Sequence, residues 1–482
     1  MHPTSLPGSY GGGELGGEAI WFVGFLREAG QRLWQVLPLN PPDAEGSPYS
    51  SDSAFAGSPL LVSTERMVGA GLLDRGDAPP VGRTRVDYRE ETARKEGLLR
   101  KAYARAGLGE EIAAFREEHR DWLPDYALYR ALKGRFGGEP WNRWPPGLAR
   151  REEGALAEAG RELAAEVEFH EFAQYLFDEH WGEVRRAARR AGVEIVGDIP
   201  IFVSHDSADV WANQELFHLD APGEPSVVAG VPPDYFSETG QLWGNPLYDW
   251  ERVAEEGYEW WVRRVRRALG LYDAVRVDHF RGFSAHWEIP AGAESAKEGR
   301  WVEGPGAKLF RRLEKELGEL PIIAEDLGEI TAEVEALRDG LGLPGMKVLQ
   351  FGFSGPDNHF LPHNYGHENW VVYTGTHDND TIAGWWRAAP QADREFARRY
   401  LGREYAGVED FIRLAYASTA RRAVIPLQDH LGLGSEARMN TPGTTRGNWS
   451  WRLAGGELSA ELATGLREMT RTYGRLGESE ES

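Results

Sequence analysis

The segment LYDAVRVDHFRGF runs from Leu271 to Phe283, and its reading decides the fold. Tyr272, Ala274, Val275 and Val277 form a short apolar run of the kind that makes a buried strand. Arg276 and Asp278 interrupt that run two residues apart, and residues two apart on a strand share a face. Unpaired buried charges cost several kcal/mol. Arg276 is therefore expected to point to the same side as Asp278, pair with it and fix its rotamer.

The same grammar recurs on both sides of this segment. Apolar runs at 32–39, 193–203, 320–328, 346–353, 370–378 and 423–431 alternate with amphipathic stretches. The clearest of these is 168–192, where Phe169, Phe172 and Leu176 recur at helical spacing and Gly192 supplies a stop. Near-continuous apolar strands separated by helices imply a parallel sheet covered on both faces. Seven such strands favour an α/β fold closed as a (β/α)₈ TIM barrel.

Polar residues gather at the C-terminal ends of these runs: Asp198, then Arg276, Asp278 and His279, then Glu325 and Asp326, then His377, Asp378 and Asp380. One acidic residue at a strand end is usually a cap or turn residue. Acidic strand ends that recur after apolar runs are harder to explain that way, because a barrel brings all these ends to one face.

Composition narrows the chemistry. A net charge of −22 argues against a nucleic-acid or anionic-membrane partner. The absence of cysteine excludes disulfides, thiolate catalysis and cysteine zinc sites. No run of about 18 apolar residues occurs and MHPTSLPGSY lacks an apolar signal core, so the expectation is a soluble, cytoplasmic protein. The 18 Trp, 17 Tyr and 19 Phe fill a large core or stack on flat apolar faces such as sugar rings.

Carboxylates, histidines and aromatics without cysteine leave two chemistries, metal-dependent hydrolysis and glycosyl transfer. His363 and His367 have a spacing that suits a helical metal site, but HNYGHEN reads as a loop. Glycoside chemistry needs two carboxylates flanking the bond, commonly a third to orient the sugar, and aromatic walls. The sequence supplies all of these.

QVLPLNPPDAEGSPYSSDSAFAGSPLL (35–61), AGVPPDYFSETGQLWGNPLYDW (229–250), YDAVRVDHFRGF, PIIAEDLGEIT (321–331), LPGMKVLQFGF (343–353), YTGTHDNDT (373–381) and ARMNTPGTTRGNWSWRL (437–453) closely resemble the amylomaltases, the 4-α-glucanotransferases of glycoside hydrolase family 77. The resemblance covers nearly the whole chain. It implies transfer of α-1,4-glucan segments between maltooligosaccharides, starch or glycogen-like glucans, with no cofactor and no metal. The nucleophile would fall on Asp278, the acid/base on Glu325 and the transition-state-stabilising aspartate on Asp378. Arg276, His279 and His377 match orienting positions, and Asp198 matches the aspartate of the barrel's third strand. Tyr49, Gln241, Trp243, Asn245 and Phe351 match positions lining the glucan groove, with Asn440 and Trp449 as weaker matches. The two catalytic carboxyls of such a retaining site lie roughly 5–5.5 Å apart. The alternatives are an α-glucan hydrolase using the same three carboxylates and a non-catalytic glucan-binding barrel.

One catalytic barrel over 1–482 is expected, with a helical insertion at 81–160 and an aromatic loop insertion at 205–250 over the site. Family members usually carry a strand just upstream of the His-Pro-Thr-Ser-Leu-Pro stretch, so a truncated first strand is also expected. GGGELG has a G-x-G-x-x-G spacing without a preceding strand and reads as a glycine-rich loop. GRLGESEES reads as a frayed acidic tail.

Overall fold

The structure, a computed structural model, describes residues 1–107, 109–233 and 238–477. Residues 478–482 of the acidic tail and residues 234–237 of the aromatic insertion lie outside the described residues. The start of that tail is not frayed: Arg475 donates to the Tyr416, Ser418 and Ala420 carbonyls, and Leu476 is buried.

Eleven strands are present among the described residues: β1 (Leu33–Gln35), β2 (Glu194–Pro200), β3 (Val227–Val231), β4 (Gln241–Pro246), β5 (Ala274–Asp278), β6 (Ala285–Pro290), β7 (Arg300–Glu303), β8 (Ile322–Ala324), β9 (Gly345–Val348), β10 (Trp370–Tyr373) and β11 (Arg422–Val424). The seven runs read as buried strands are β1, β2, β5, β8, β9, β10 and β11. They pair in parallel as β1-β2-β5-β8 and β9-β10-β11. The Ala324 N–H donates to the Pro344 carbonyl at 2.9 Å and joins β8 to β9. The result is the parallel α/β barrel wall.

Alternation along each strand sorts the wall into two faces. Val196, Ala274, Ile323, Met346, Val348, Val371 and Tyr373 form one buried cluster inside the ring. Ile195, Val275, Val277, Ile322 and Ala324 face outward into the large core shared with the helices. Gly197 lies on the outward face, where a Cβ would sit 2.2 Å from the Tyr272 ring, so a larger residue would push that ring off the wall.

Among the described residues β1 and β11 each have a single strand partner. Met1, His2 and Ser5 line a cavity of about 110 Å³ together with Gln35, Val36 and Val424 of these strands and their ends. The Met1 ammonium donates to the Gln35 carbonyl at 3.3 Å, and burial lowers it to about 5.

The helix Ala164–Arg190 covers the outer face with Phe169, Phe172, Leu176, Trp181 and Val184. It ends before Gly192, which takes φ +70° as its stop signal requires. Over 81–160 the described elements are helical, chiefly Tyr88–Arg105, Leu123–Arg135 and Glu153–Glu162. The Tyr129 hydroxyl donates to Asp206 at 2.8 Å and Trp141 Nε1 to the His205 carbonyl at 2.7 Å, fastening this region to the segment after β2.

The stretch at 205–250 departs from its reading as a loop. It contains β3 and β4, which join β6 and β7 in an antiparallel sheet ordered β4-β3-β6-β7. Both strands are short and bounded by Gly and Pro, which read as turns. A Cβ at Gly230 would lie 2.2 Å from the Gln241 carbonyl, so glycine is the residue that lets β3 approach β4 where their register shifts. Among the described residues, no helix is long and apolar enough to cross a membrane.

Candidate active site

The register of β2 and β5 answers the charge puzzle in the first segment. Asp198 and Arg276 are direct cross-strand partners, and both point into the ring. Arg276 Nη1 donates to both Asp198 carboxylate oxygens at 2.9 and 2.7 Å, and Nη2 donates to Asp278 Oδ1 at 2.9 Å. One buried guanidinium therefore bridges two carboxylates and fixes Asp278 at the end of its strand. Burial opposes the Arg276 charge, but Asp198 and Asp278 raise it well above the ordinary arginine value. Burial pushes Asp198 up to about 6, opposed by Arg276 and assisted by Asp278. Asp198 stands behind Arg276, 1% exposed, and does not line the cleft itself.

Glu325 follows β8 directly, as Asp278 closes β5. Val277 pairs with Ala324, so the next positions on these neighbouring strands carry the two carboxylates. His279 has φ +53°, a left-handed backbone uncommon for a residue with a Cβ. That turn aims its N–H at Glu325 Oε2 at 2.7 Å, while the Leu327 N–H donates to Oε1 at 2.8 Å. Burial pushes the Glu325 carboxyl up to about 7; Asp278 adds to the rise, and Arg276 and the two N–H groups oppose it.

Asp378, beyond β10, is held differently. Asn440 Nδ2 donates to its Oδ1 at 2.6 Å, His377 Nε2 lies 3.4 Å from the same oxygen, and the Asn440 N–H donates to the His377 carbonyl at 3.0 Å. Arg438, which sequence reasoning missed, donates to the Asp378 carbonyl at 2.6 Å and the Asn440 carbonyl at 2.7 Å. Its signal lay in plain view within ARMNTPG.

Tyr49 donates to Asp198 at 2.7 Å and stacks on His377 with centroids 5.2 Å apart and planes at 18°. The ring of Trp449, at φ +61°, lies 5.8 Å from both. Trp243 meets the His279 ring edge-on at 4.8 Å and donates to Gln241 at 3.1 Å. Asn245 donates to the Val203 carbonyl at 3.0 Å. Burial, with the Arg281 charge, lowers the His279 imidazole to about 3, and its Nε2 has no partner among the described residues. Phe351, 37% exposed, also lines the cleft. With the exception of Asp198, every residue matched to the family's catalytic and glucan-binding positions lines one cleft of about 2510 Å³.

Other acidic strand-end residues serve structure. Asp326 accepts the Met346 N–H at 2.7 Å and pairs with Arg338, turned away from the cleft. Asp380 accepts from Thr381 and Ser435. His363 bonds Tyr400 and the Pro356 carbonyl, and His367 stacks on Trp370, so the two histidines do not converge.

The comparisons with known proteins agree along the whole chain. A family model described as 4-alpha-glucanotransferase matches residues 1–459. The chain belongs to the 4-alpha-glucanotransferase family. It is 54% identical to a 4-alpha-glucanotransferase of Thermus thermophilus, covering 99% of this chain and 98% of that one. It is 46% identical to the chloroplastic/amyloplastic 4-alpha-glucanotransferase of Arabidopsis thaliana, covering 99% and 85%. Among solved structures, an amylomaltase from Streptococcus agalactiae in complex with acarbose superposes with a TM-score of 0.96 at 38% identity, covering 99% of both chains. The TIM-barrel class of this 4-alpha-glucanotransferase is the class of its structural relatives.

Proposed function

We propose that this 4-alpha-glucanotransferase moves α-1,4-glucan segments by double displacement, with Asp278 as nucleophile, Glu325 as acid/base and Asp378 as the carboxylate that orients and stabilises the reacting sugar. The observation that carries the reading is the pairing of β5 with β8. Adjacent strands lie about 4.8 Å apart, and the carboxylates occupy matching positions just beyond Val277 and Ala324. That placement on neighbouring strands suits direct attack, which needs carboxyls roughly 5–5.5 Å apart, better than the wider separation of an inverting site.

Glu325, pushed up to about 7, is substantially protonated at neutral pH and donates its proton to the glycosidic oxygen as that bond breaks. Asp278, fixed by Arg276, attacks the anomeric carbon and forms a glycosyl ester. Glu325, now ionised, takes the proton from an incoming sugar 4-hydroxyl, which attacks the same carbon and releases Asp278. Two displacements retain the α configuration.

Sugar is preferred over water as acceptor through the aromatic wall. Trp243 is 38% exposed beside His279, placed to stack on an acceptor ring and exclude solvent. The acarbose bound by the Streptococcus agalactiae relative supports an α-glucan-like occupant of the cleft.

Incubation with maltotriose tests the reading. Free glucose appearing with maltopentaose and longer chains, at constant total reducing ends, is the expected result. Shortening products with rising reducing ends would make the protein a hydrolase, and no change would leave binding alone.

A further inference from the structure

Lys347 occupies a position where the fold calls for an apolar side chain. Alternation along β9 sends Met346 and Val348 into different surroundings from Lys347. Both apolar residues join the cluster inside the ring, and Lys347 faces the outer layer beside Trp370. There it is only 7% exposed. Among the described residues no oxygen accepts a hydrogen bond from its ammonium and no carboxylate pairs with it within 4 Å. Aromatic faces surround it instead: the Trp370 centroid lies 3.9 Å away, Phe360 5.7 Å and Tyr365 5.8 Å. A buried cation held by ring faces is attracted to their quadrupoles, and most strongly when desolvated.

Two of these rings belong to the segment after Phe351, which contributes Phe360 to the lining of the cleft. Phe360 lines the cleft and meets Phe351 edge-on at 5.4 Å. The Tyr365 hydroxyl donates to the Phe360 carbonyl at 3.0 Å, and Asn358 Nδ2 donates to the Phe351 carbonyl at 2.8 Å. The segment is tied to itself by these bonds, while Lys347 reaches it from the barrel wall.

We infer that Lys347 is a positioning residue for glucan binding: its ammonium, caged by Trp370, Phe360 and Tyr365, anchors the Phe351–Phe360 wall to strand β9 and sets that wall's distance from the bound sugar. This rests on the reading of Phe351 as a glucan contact. Burial lowers the lysine to about 8, with Arg338 adding to the fall and Asp326 and Glu335 opposing it. His359, on the same segment, is itself lowered by burial and by Lys347. The charge that holds the wall is therefore lost in mildly alkaline solution.

The test measures dissociation constants for maltotetraose from pH 6 to 9.5 on the Glu325→Gln background, which removes turnover and the titration of that carboxyl. With Lys347 present, affinity weakens several-fold as pH rises through about 8. Lys347→Met weakens binding about 3- to 10-fold at neutral pH and abolishes the alkaline step, with an unchanged or higher melting temperature, since an apolar isostere in place of a buried charge is often neutral or stabilising. Lys347→Arg keeps tight binding and moves the step beyond the range. Lys347→Met binding as tightly as the parent, with the alkaline step intact, would overturn the inference whatever its melting temperature. Phe351→Ala separates the two claims: if it does not weaken binding, the reading of Phe351 fails; if it does while Lys347→Met does not, the anchoring role fails.

Discussion

The barrel interior has two halves that differ by one or two residues along each strand. In the lower half, Val196, Ala274, Ile323, Met346 and Val371 meet as a dry apolar cluster. One inward position further on, β2 and β5 present Asp198 and Arg276, and beyond them lie Asp278 and Glu325. The lower half is held by burial, where each side chain gains from every neighbour. The upper half is held by mutual satisfaction, in which Arg276 bridges two carboxylates and backbone N–H groups fix the third. The lower half tolerates small changes of shape at small cost. The upper half cannot lose one partner without stranding another in low dielectric.

Asp278→Asn gives the largest effect. It keeps the shape and removes the nucleophile, so transfer from maltotriose falls at least about 10⁴-fold with folding intact. Arg276→Met comes next, because it leaves Asp198 and Asp278 facing each other without a cation. Loss of about 3–5 kcal/mol in denaturant stability is expected, together with loss of transfer.

Glu325→Gln changes how stability depends on pH. The carboxyl has an ordinary value of 4.5 and sits at about 7 in the folded chain, so folding takes up a proton between those values. Its stabilising contribution is fully present below about 4.5 and lost as pH rises through about 7, a change on the order of 3 kcal/mol. The glutamine variant has no carboxyl to titrate, so its melting temperature changes less between pH 5 and pH 8 than that of the parent. In the parent, kcat/KM falls above about pH 7 as the general acid ionises. The smallest effect belongs to the lower half: Ile323→Val costs about 0.5–1.5 kcal/mol in stability and leaves the transfer rate unchanged.

The sequence made the parallel wall readable because the strands are largely apolar on both faces and end in turns. The catalytic set was legible for a related reason, since charge in an apolar run has few structural explanations. Asp326 shows the limit of that logic. It is chemically similar to Glu325 and adjacent to it, yet the strand's alternation turns it to Arg338 and the Met346 N–H. Only the register separates the two. β3 and β4 escaped notice because β4 pairs only with β3, and the other partner of β3, strand β6, lies far along the chain, while their own Gly and Pro residues read as turns. Arg438 and Lys347 escaped because neither type of contact, a cation on backbone carbonyls or a cation among aromatic faces, leaves a periodic mark.

The central claim is that Asp278 carries the glycosyl group between donor and acceptor. The most direct measurement uses the Glu325→Gln protein with an activated donor, α-maltotriosyl fluoride, whose leaving group needs no acid. Without the carboxylate that activates the acceptor, the ester accumulates, and peptide mass spectrometry then finds one maltotriosyl group on the peptide containing Asp278. Fluoride released without an adduct, or an adduct on another carboxylate, would contradict the assignment.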